Sequence, residues 1–89
     1  MKVLKFGAVW CPGCLVMKPM WEKIEKENSW LKNEYYDFDK DKKAVEKWGI
    51  DNILPVFIFV DKDNHELFRL QGERSKSELE IFIQKNKDK

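Results

Sequence analysis

The chain has 89 residues, 43% of them hydrophobic, and its 17 basic residues nearly balance 16 acidic ones to give a formal charge of +1. This length predicts one modest core and a single domain over residues 1–89. The charge gives no electrostatic basis for binding nucleic acid or an anionic membrane. No apolar run approaches the roughly 18 residues of a membrane span. Lys5 and Gly7 interrupt the apolar start, so no signal peptide is predicted and we expect a cytoplasmic protein.

A strand followed by a helix opens the chain. Val3–Val9 is short and largely apolar, which favours a strand. A helix is predicted from Pro12 to about Asn28, with a kink at Pro19. Its apolar stripe consists of Met17, Met20, Trp21 and Ile24. The two methionines are interpreted as core residues.

A second strand and a short helix follow. Polarity alternates over residues 34–38, which predicts a strand. Asp39 or Asp41 is placed to cap the next helix, and Gly49 is placed to end it. That helix is expected to bury Ala44, Val45 and Trp48.

The last third predicts a hairpin and a helix. Val56–Val60 is continuously apolar, as expected of a strand covered on both faces. Residues 61–64 form a turn into a strand over residues 66–70. Ser75 to Glu78 is a capping box for a helix that buries Leu79, Phe82 and Ile83, and residues 85–89 are expected to fray. The order βαβαββα predicts an α/β fold with a mixed sheet and helices on both faces.

The only two cysteines, Cys11 and Cys14, are three positions apart and follow the first strand. Both then lie at the first turn of a helix, where unpaired N–H groups and the helix dipole favour a thiolate. A strand, a Cys-x-x-Cys motif and a helix in succession indicate redox chemistry. In the cytoplasm such a pair is not expected to be a structural disulfide.

Several motifs together resemble thioredoxin over nearly the whole chain. They are Trp10 with the two cysteines, Pro19, Trp48-Gly49-Ile50, Leu54-Pro55-Val56 and Gly72. The resemblance implies a cis Leu54–Pro55 bond that faces the cysteines. It also implies a trimmed thioredoxin fold, with a four-stranded mixed sheet flanked by three helices.

The expected strand order places residues 34–38 at one edge and residues 67–70, antiparallel, at the other. Residues 3–8 and 56–60 are expected to be central and parallel to each other.

Two positions depart from the family pattern. Pro12 precedes Gly13 between the cysteines, which is similar to glutaredoxins, whereas the commonest thioredoxin motif has glycine first. Lys5 stands where thioredoxins have a buried aspartate that helps move a proton to or from the second cysteine. That role cannot be carried over to Lys5.

The resemblance implies thiol–disulfide exchange without a bound cofactor. Cys11, expected to be the more exposed cysteine, attacks a protein disulfide, and Cys14 resolves the mixed disulfide. The expected substrate-binding residues are Trp10, Pro12, Gly13, Leu54 and Pro55. The expected electron donor is a thioredoxin reductase or glutathione, and the expected state is a monomer.

Lys5 needs a carboxylate partner if its strand is covered, or else its stem must carry the ammonium to water. Asp37 is the first candidate partner and Glu34 the second. A cation near the cysteines favours the thiolate, so Lys5 and Asp37 are candidate electrostatic modulators. The alternative is an exposed Lys5 with no role.

Other interpretations of the cysteines remain open. Two thiolates do not complete a tetrahedral zinc site, and the sole histidine, His65, lies in the distant hairpin, so no metal is expected. A binding module could use the groove around Trp10, Leu54 and Pro55 to hold a partner, with exchange incidental. A glutaredoxin-like, glutathione-dependent reductase is a further alternative.

Overall fold

The computed structural model describes residues 1–88 and contains the predicted elements in the predicted order. They are β1 (Lys2–Gly7), α1 (Pro12–Glu27), β2 (Lys32–Asp37), α2 (Lys42–Lys47), β3 (Val56–Val60), β4 (Glu66–Gln71) and α3 (Lys76–Lys85). Bounds differ from the predictions by one or two residues, mainly because β1 ends at Gly7. The frayed tail predicted over residues 85–89 is wrong at its start, because Lys85 lies in α3 and Asn86 caps the helix. Lys89 lies outside the described residues.

The four strands form one sheet in the order β2-β1-β3-β4. The order of the strands and the antiparallel direction of β4 relative to β3 are as predicted. β1 runs parallel to β2. The prediction that β1 and β3 are parallel is wrong, because these strands are antiparallel, with Phe6 opposite Val56 and Lys2 opposite Val60.

The lengths of the helices explain this direction. α1 has 16 residues, about 24 Å of helix, which is enough to return the chain along the full sheet for a parallel crossover. α2 has six residues, about 9 Å, which is shorter than a strand of the same residue count at about 20 Å. The chain therefore enters β3 at the end of the sheet where β1 finishes.

Each face of the sheet buries its own apolar cluster. Val3, Phe57 and Phe59 face α1 and α3 and pack with residues such as Met17, Trp21, Leu79 and Ile83. Leu4, Phe6, Val56, Ile58 and Val60 pack on the other face with residues of α2. Every residue of β3 is buried, which confirms that it is covered on both sides.

The helix ends follow local chemistry. Ser75 and Glu78 make the predicted capping box, and Gly49 ends α2 at φ +63°. Asp41 is the N-cap of α2 but makes no capping bond, because its carboxylate accepts the Asp37 N–H at 2.6 Å. The predicted apolar face of α2 is only half-buried.

Within residues 1–88, every helix is too short or too polar to cross a membrane.

Asn28 is the one buried polar side chain among the described residues and is expected to contribute to stability. Its amide donates to the Ile24 carbonyl at 2.9 Å, and its oxygen accepts from Gln84 at 3.1 Å. Asn28→Ala removes both side-chain hydrogen bonds, although the Ile24 carbonyl keeps the backbone N–H of residue 28. It should lower the free energy of unfolding by about 1–2 kcal/mol in urea titrations. The control Asn86→Ala removes a similar but less buried cap at α3 and should cost less; an equal loss would contradict this account.

Candidate functional site

The two cysteines lie at the junction of β1 and α1. Cys11 is the N-cap of α1, and Pro12 and Gly13 are its first two residues. Proline suits this place because the first N–H groups of a helix have no intrahelical acceptor. The Cys14 N–H donates to the Cys11 sulfur at 3.2 Å, so the helix start supplies a hydrogen bond to that sulfur.

The expected order of exposure is reversed. Cys11 is 4% exposed, whereas Cys14 is half-buried. The sulfur of Cys11 turns toward the helix start to accept the Cys14 N–H, which takes it away from solvent. The two sulfurs are not joined by a disulfide in this structure.

Cys14 is a poor acid in this environment. Burial, together with the hydrogen bond and charge of Cys11, raises the pKa of Cys14 to about 12. Only roughly one molecule in 10⁵ then carries a Cys14 thiolate at pH 7. The thiolate is the nucleophilic form of cysteine, so Cys14 is not suited to attack a substrate first.

Pro55 lies next to this helix start. The Leu54–Pro55 bond is cis, as the resemblance implied. A Cβ added to Gly13 would lie 3.3 Å from Cδ of Pro55, so the proline packs beside the residues between the cysteines. Leu54 is half-buried against the cluster on the α2 side.

Trp10 borders the site on its exposed side. It is 51% exposed, and its Nε1 donates to Asp39 at 2.8 Å while the ring packs edge-on against Phe38. Val9 and Ile53 are also exposed. Exposed apolar residues grouped around a reactive site are typical of a surface that binds another molecule.

A cleft of about 400 Å³ opens beside Cys14 on the α1 face of the sheet. Lys5 lies in its wall, with its side chain 16% exposed and its Nζ 3.0 Å from Oε1 of Glu25. The same Nζ lies 5.4 Å from the centre of the Trp21 ring. The ammonium is therefore held by a carboxylate and an aromatic face, and the alternative of an exposed Lys5 is excluded.

Asp37 and Glu34 are not the partners of Lys5, which corrects the sequence prediction. In the parallel register Lys5 lies opposite Tyr35, and Asp37 lies opposite Gly7. Glu34 projects from the other face, where it binds Lys2 at 3.1 Å. The carboxylate comes instead from α1, which the strand pairing alone does not reveal.

Tyr35 is a site residue that sequence reasoning missed. A Cβ added to Gly7 would lie 3.1 Å from the Tyr35 hydroxyl and 3.2 Å from the Cys14 sulfur, so the two groups share the space above Gly7. Although Tyr35 is 58% exposed, partial desolvation of its hydroxyl and the negative charges of Asp37 and the cysteines raise its pKa. The phenol therefore stays protonated, which makes it a candidate donor to a Cys14 thiolate.

Two sequence signals could have indicated these residues. Gly7 lies at the end of a largely apolar strand just before the cysteines, and a glycine in a strand often marks a place where another group approaches closely. Glu25 is four residues after the buried Trp21, so both lie on one face of α1.

A group of potential metal ligands lies away from the cysteines. Within residues 1–88, the one group of three potential metal ligands is Asp61, Asp63 and His65 in the β3–β4 turn. That turn follows Val60, at the opposite end of the sheet from the cysteines.

Comparison with known proteins gives a consistent result. Residues 1–85 match the Thioredoxin family profile. Thioredoxin H5 of Oryza sativa subsp. japonica is 30% identical over 87 residues, covering 98% of this chain and 63% of that protein. Protein disulfide isomerase-like 2-3 of the same plant is 28% identical over 81 residues, covering 90% of this chain and 18% of that protein. The chain thus spans less than two thirds of each of these relatives.

Solved structures of similar proteins share the fold. The thioredoxin of Fasciola hepatica superposes with a TM-score of 0.85 at 28% identity, covering 94% of this chain and 78% of that one. Thioredoxin-2 of a malaria parasite gives a TM-score of 0.87 at 27% identity, covering 96% and 82% of the two chains.

Lys5→Met should leave the Glu25 carboxylate unpaired in the cleft that Cys14 lines. An unpaired anion disfavours a thiolate, so the pH at which the cysteines gain thiolate absorbance in the ultraviolet should rise by about half a unit. Attack of the protein on a disulfide should slow for the same reason. Lys5→Met/Glu25→Gln should restore both. Superimposable titrations of wild type and Lys5→Met would mean that Lys5 has no electrostatic role.

Tyr35→Phe should slow the step in which Cys14 acts as a thiolate. Loss of a hydrogen bond to a charged group should reduce the release rate of a Cys11 mixed disulfide roughly tenfold, with attack by Cys11 little changed. The control is Tyr36→Phe, whose hydroxyl binds Glu34 on the other face of the sheet. Equal release rates in wild type and Tyr35→Phe would remove Tyr35 from the mechanism.

Proposed function

Because the chain belongs to the thioredoxin family, we propose that it is a thiol–disulfide oxidoreductase that reduces protein disulfides through Cys11 and Cys14. One observation carries the assignment of roles. The Cys11 sulfur receives an N–H at the start of α1, whereas the pKa of Cys14 is raised to about 12. Thiolate character favours Cys11 as the nucleophile, even though Cys14 is the more exposed cysteine.

In the first step the Cys11 thiolate attacks one sulfur of a substrate disulfide. A bond forms between Cys11 and that sulfur, the substrate S–S bond breaks, and the other substrate sulfur leaves as a thiolate that takes a proton from water. The product is a mixed disulfide between Cys11 and the substrate. The nearby N–H of Cys14 then has no thiolate to stabilise.

In the second step Cys14 loses its proton to solvent in the cleft and attacks the Cys11 sulfur. The Cys11–Cys14 disulfide forms and the second substrate thiolate leaves, so two electrons have passed to the substrate. Formation of the mixed disulfide removes the Cys11 thiolate, whose hydrogen bond and charge help to raise the pKa of Cys14. Deprotonation of Cys14 therefore becomes easier at the point where it is needed.

The proposed substrate surface consists of Trp10, Pro12, Gly13, Leu54 and Pro55, extended by the exposed side chains of Val9 and Ile53. A thioredoxin reductase or glutathione is the proposed electron donor. We also propose that the protein acts as a monomer in the cytoplasm, as one domain, without nucleic acid or membrane partners.

The exposed apolar group around Trp10 also supports a second candidate, a module that binds a partner while exchange is incidental. The two functions differ in their dependence on sulfur. Binding of a partner by the groove alone should survive replacement of both cysteines by serine, whereas reduction should not.

Replacing each cysteine separately tests the assigned roles. Cys14→Ser should still attack a protein disulfide such as insulin but should not release it, so adducts through Cys11 accumulate on non-reducing gels. Cys11→Ser should form far fewer, because burial still raises the pKa of Cys14 when Cys11 is absent. Equal trapping by the two variants would show that the roles are assigned wrongly.

The pH dependence of resolution follows from the raised pKa of Cys14. Below that pKa the Cys14 thiolate fraction rises tenfold with each pH unit, so release of a Cys11 mixed disulfide should accelerate from pH 7 to pH 9. Quenched-flow measurement on a preformed adduct separates this step from attack. A release rate that is flat over this range would mean that Cys14 is already ionised.

A further inference from the structure

A carboxylate lies against the residues between the cysteines. Gly72, at φ +87°, donates its N–H to the Pro55 carbonyl at 2.7 Å and fixes the start of the loop that carries Glu73. A Cβ added to Gly13 would lie 2.9 Å from Oε1 of Glu73 and 3.0 Å from its Cγ. The side chain of Glu73 therefore covers the space that the missing side chain of Gly13 leaves open.

This position adjoins the proposed substrate groove. The same point above Gly13 is 3.3 Å from Cδ of Pro55, so Glu73 and Pro55 flank the first turn of α1 together. A substrate that reaches Cys11 past Pro55 must bring its flanking residues close to this carboxylate.

The charge of Glu73 is free to act on a ligand. Glu73 is exposed and makes no ion pair with any residue from 1 to 88. The adjacent Arg74 instead contacts Glu78 at 3.7 Å and the Gln71 carbonyl at 3.3 Å. Although the chain carries a formal charge of +1, this side of the groove presents an unneutralised anion.

We propose that Glu73 is a specificity-determining residue that favours disulfides with a cationic group beside the reacting sulfur and disfavours anionic ones. The inference rests on the proposed function and deepens it by naming the charge of the substrate. It also bears on the electron donor, because reduced glutathione carries a net negative charge and Glu73 should make it a poor donor. An exposed charge several ångströms away changes a rate roughly threefold at low salt.

Three small disulfides that differ in charge provide the test: cystamine, which is cationic, hydroxyethyl disulfide, which is neutral, and oxidised glutathione, which is anionic. The rate constant for oxidation of the reduced protein is measured with each at low salt. Each rate constant is divided by that of the same disulfide with free dithiothreitol, which corrects for intrinsic reactivity. The corrected rate constant of the wild type should be higher with cystamine than with oxidised glutathione. In Glu73→Gln the cystamine rate should fall roughly threefold, the glutathione rate should rise by a similar factor, and the neutral rate should stay within about twofold.

A matched control separates position from net charge. Asp63→Asn removes one exposed carboxylate from the β3–β4 turn, at the opposite end of the sheet, and should leave all three rates unchanged. High salt should bring the wild-type rates close to those of Glu73→Gln, because exposed charges are screened.

Two results would overturn the inference: an unchanged ratio of cystamine to glutathione rates in Glu73→Gln, or an equal change in Asp63→Asn. Failure of the reduced wild-type protein to react with the neutral disulfide would instead overturn the proposed function.

Discussion

The antiparallel pairing of β3 with β1 is the constraint on which the site depends. Phe6 lies opposite Val56, so the start of β3 and the end of β1 share one edge of the sheet. Pro55, one residue before β3, therefore lies beside the helix that begins after Cys11. A parallel β3 would have placed Pro55 at the far end of the sheet, about 17–20 Å away. The six-residue α2 cannot return the chain along the sheet by itself, which agrees with the observed direction of β3.

The two sulfurs differ because the backbone and the cleft treat them differently. The Cys11 sulfur accepts a hydrogen bond from the Cys14 N–H at the start of α1. Burial and Cys11 itself raise the pKa of Cys14. Thioredoxins place a buried aspartate at the position that Lys5 occupies here. This chain instead pairs Lys5 with Glu25 across the cleft and brings the Tyr35 hydroxyl to the space above Gly7. The cleft beside the resolving cysteine therefore holds polar groups from three elements, β1, α1 and β2, in place of the single aspartate of thioredoxins.

Sequence patterns predicted the elements well, because each one carries its own local signal. The buried run of β3, the capping box at Ser75 and the glycine that ends α2 all depend on residues close together in the chain. The cis Leu54–Pro55 bond followed from the resemblance. The direction of β3 did not, because it depends on how far α2 can carry the chain, and the partner of Lys5 did not, because Glu25 approaches it from another layer. The prediction that Cys11 is the more exposed cysteine was also wrong, because the sequence does not indicate which way a sulfur turns at the start of a helix.

The central claim is that Cys11 and Cys14 interconvert between a dithiol and a disulfide as one two-electron couple. The most direct measurement equilibrates the protein with defined ratios of reduced and oxidised dithiothreitol and quantifies free thiols after acid quenching. The account predicts a single transition with a tenfold change in the equilibrium ratio for each 29.6 mV or so, and no transition in Cys11→Ser. A protein that stays a dithiol at every ratio, or a transition that persists without Cys11, would contradict it.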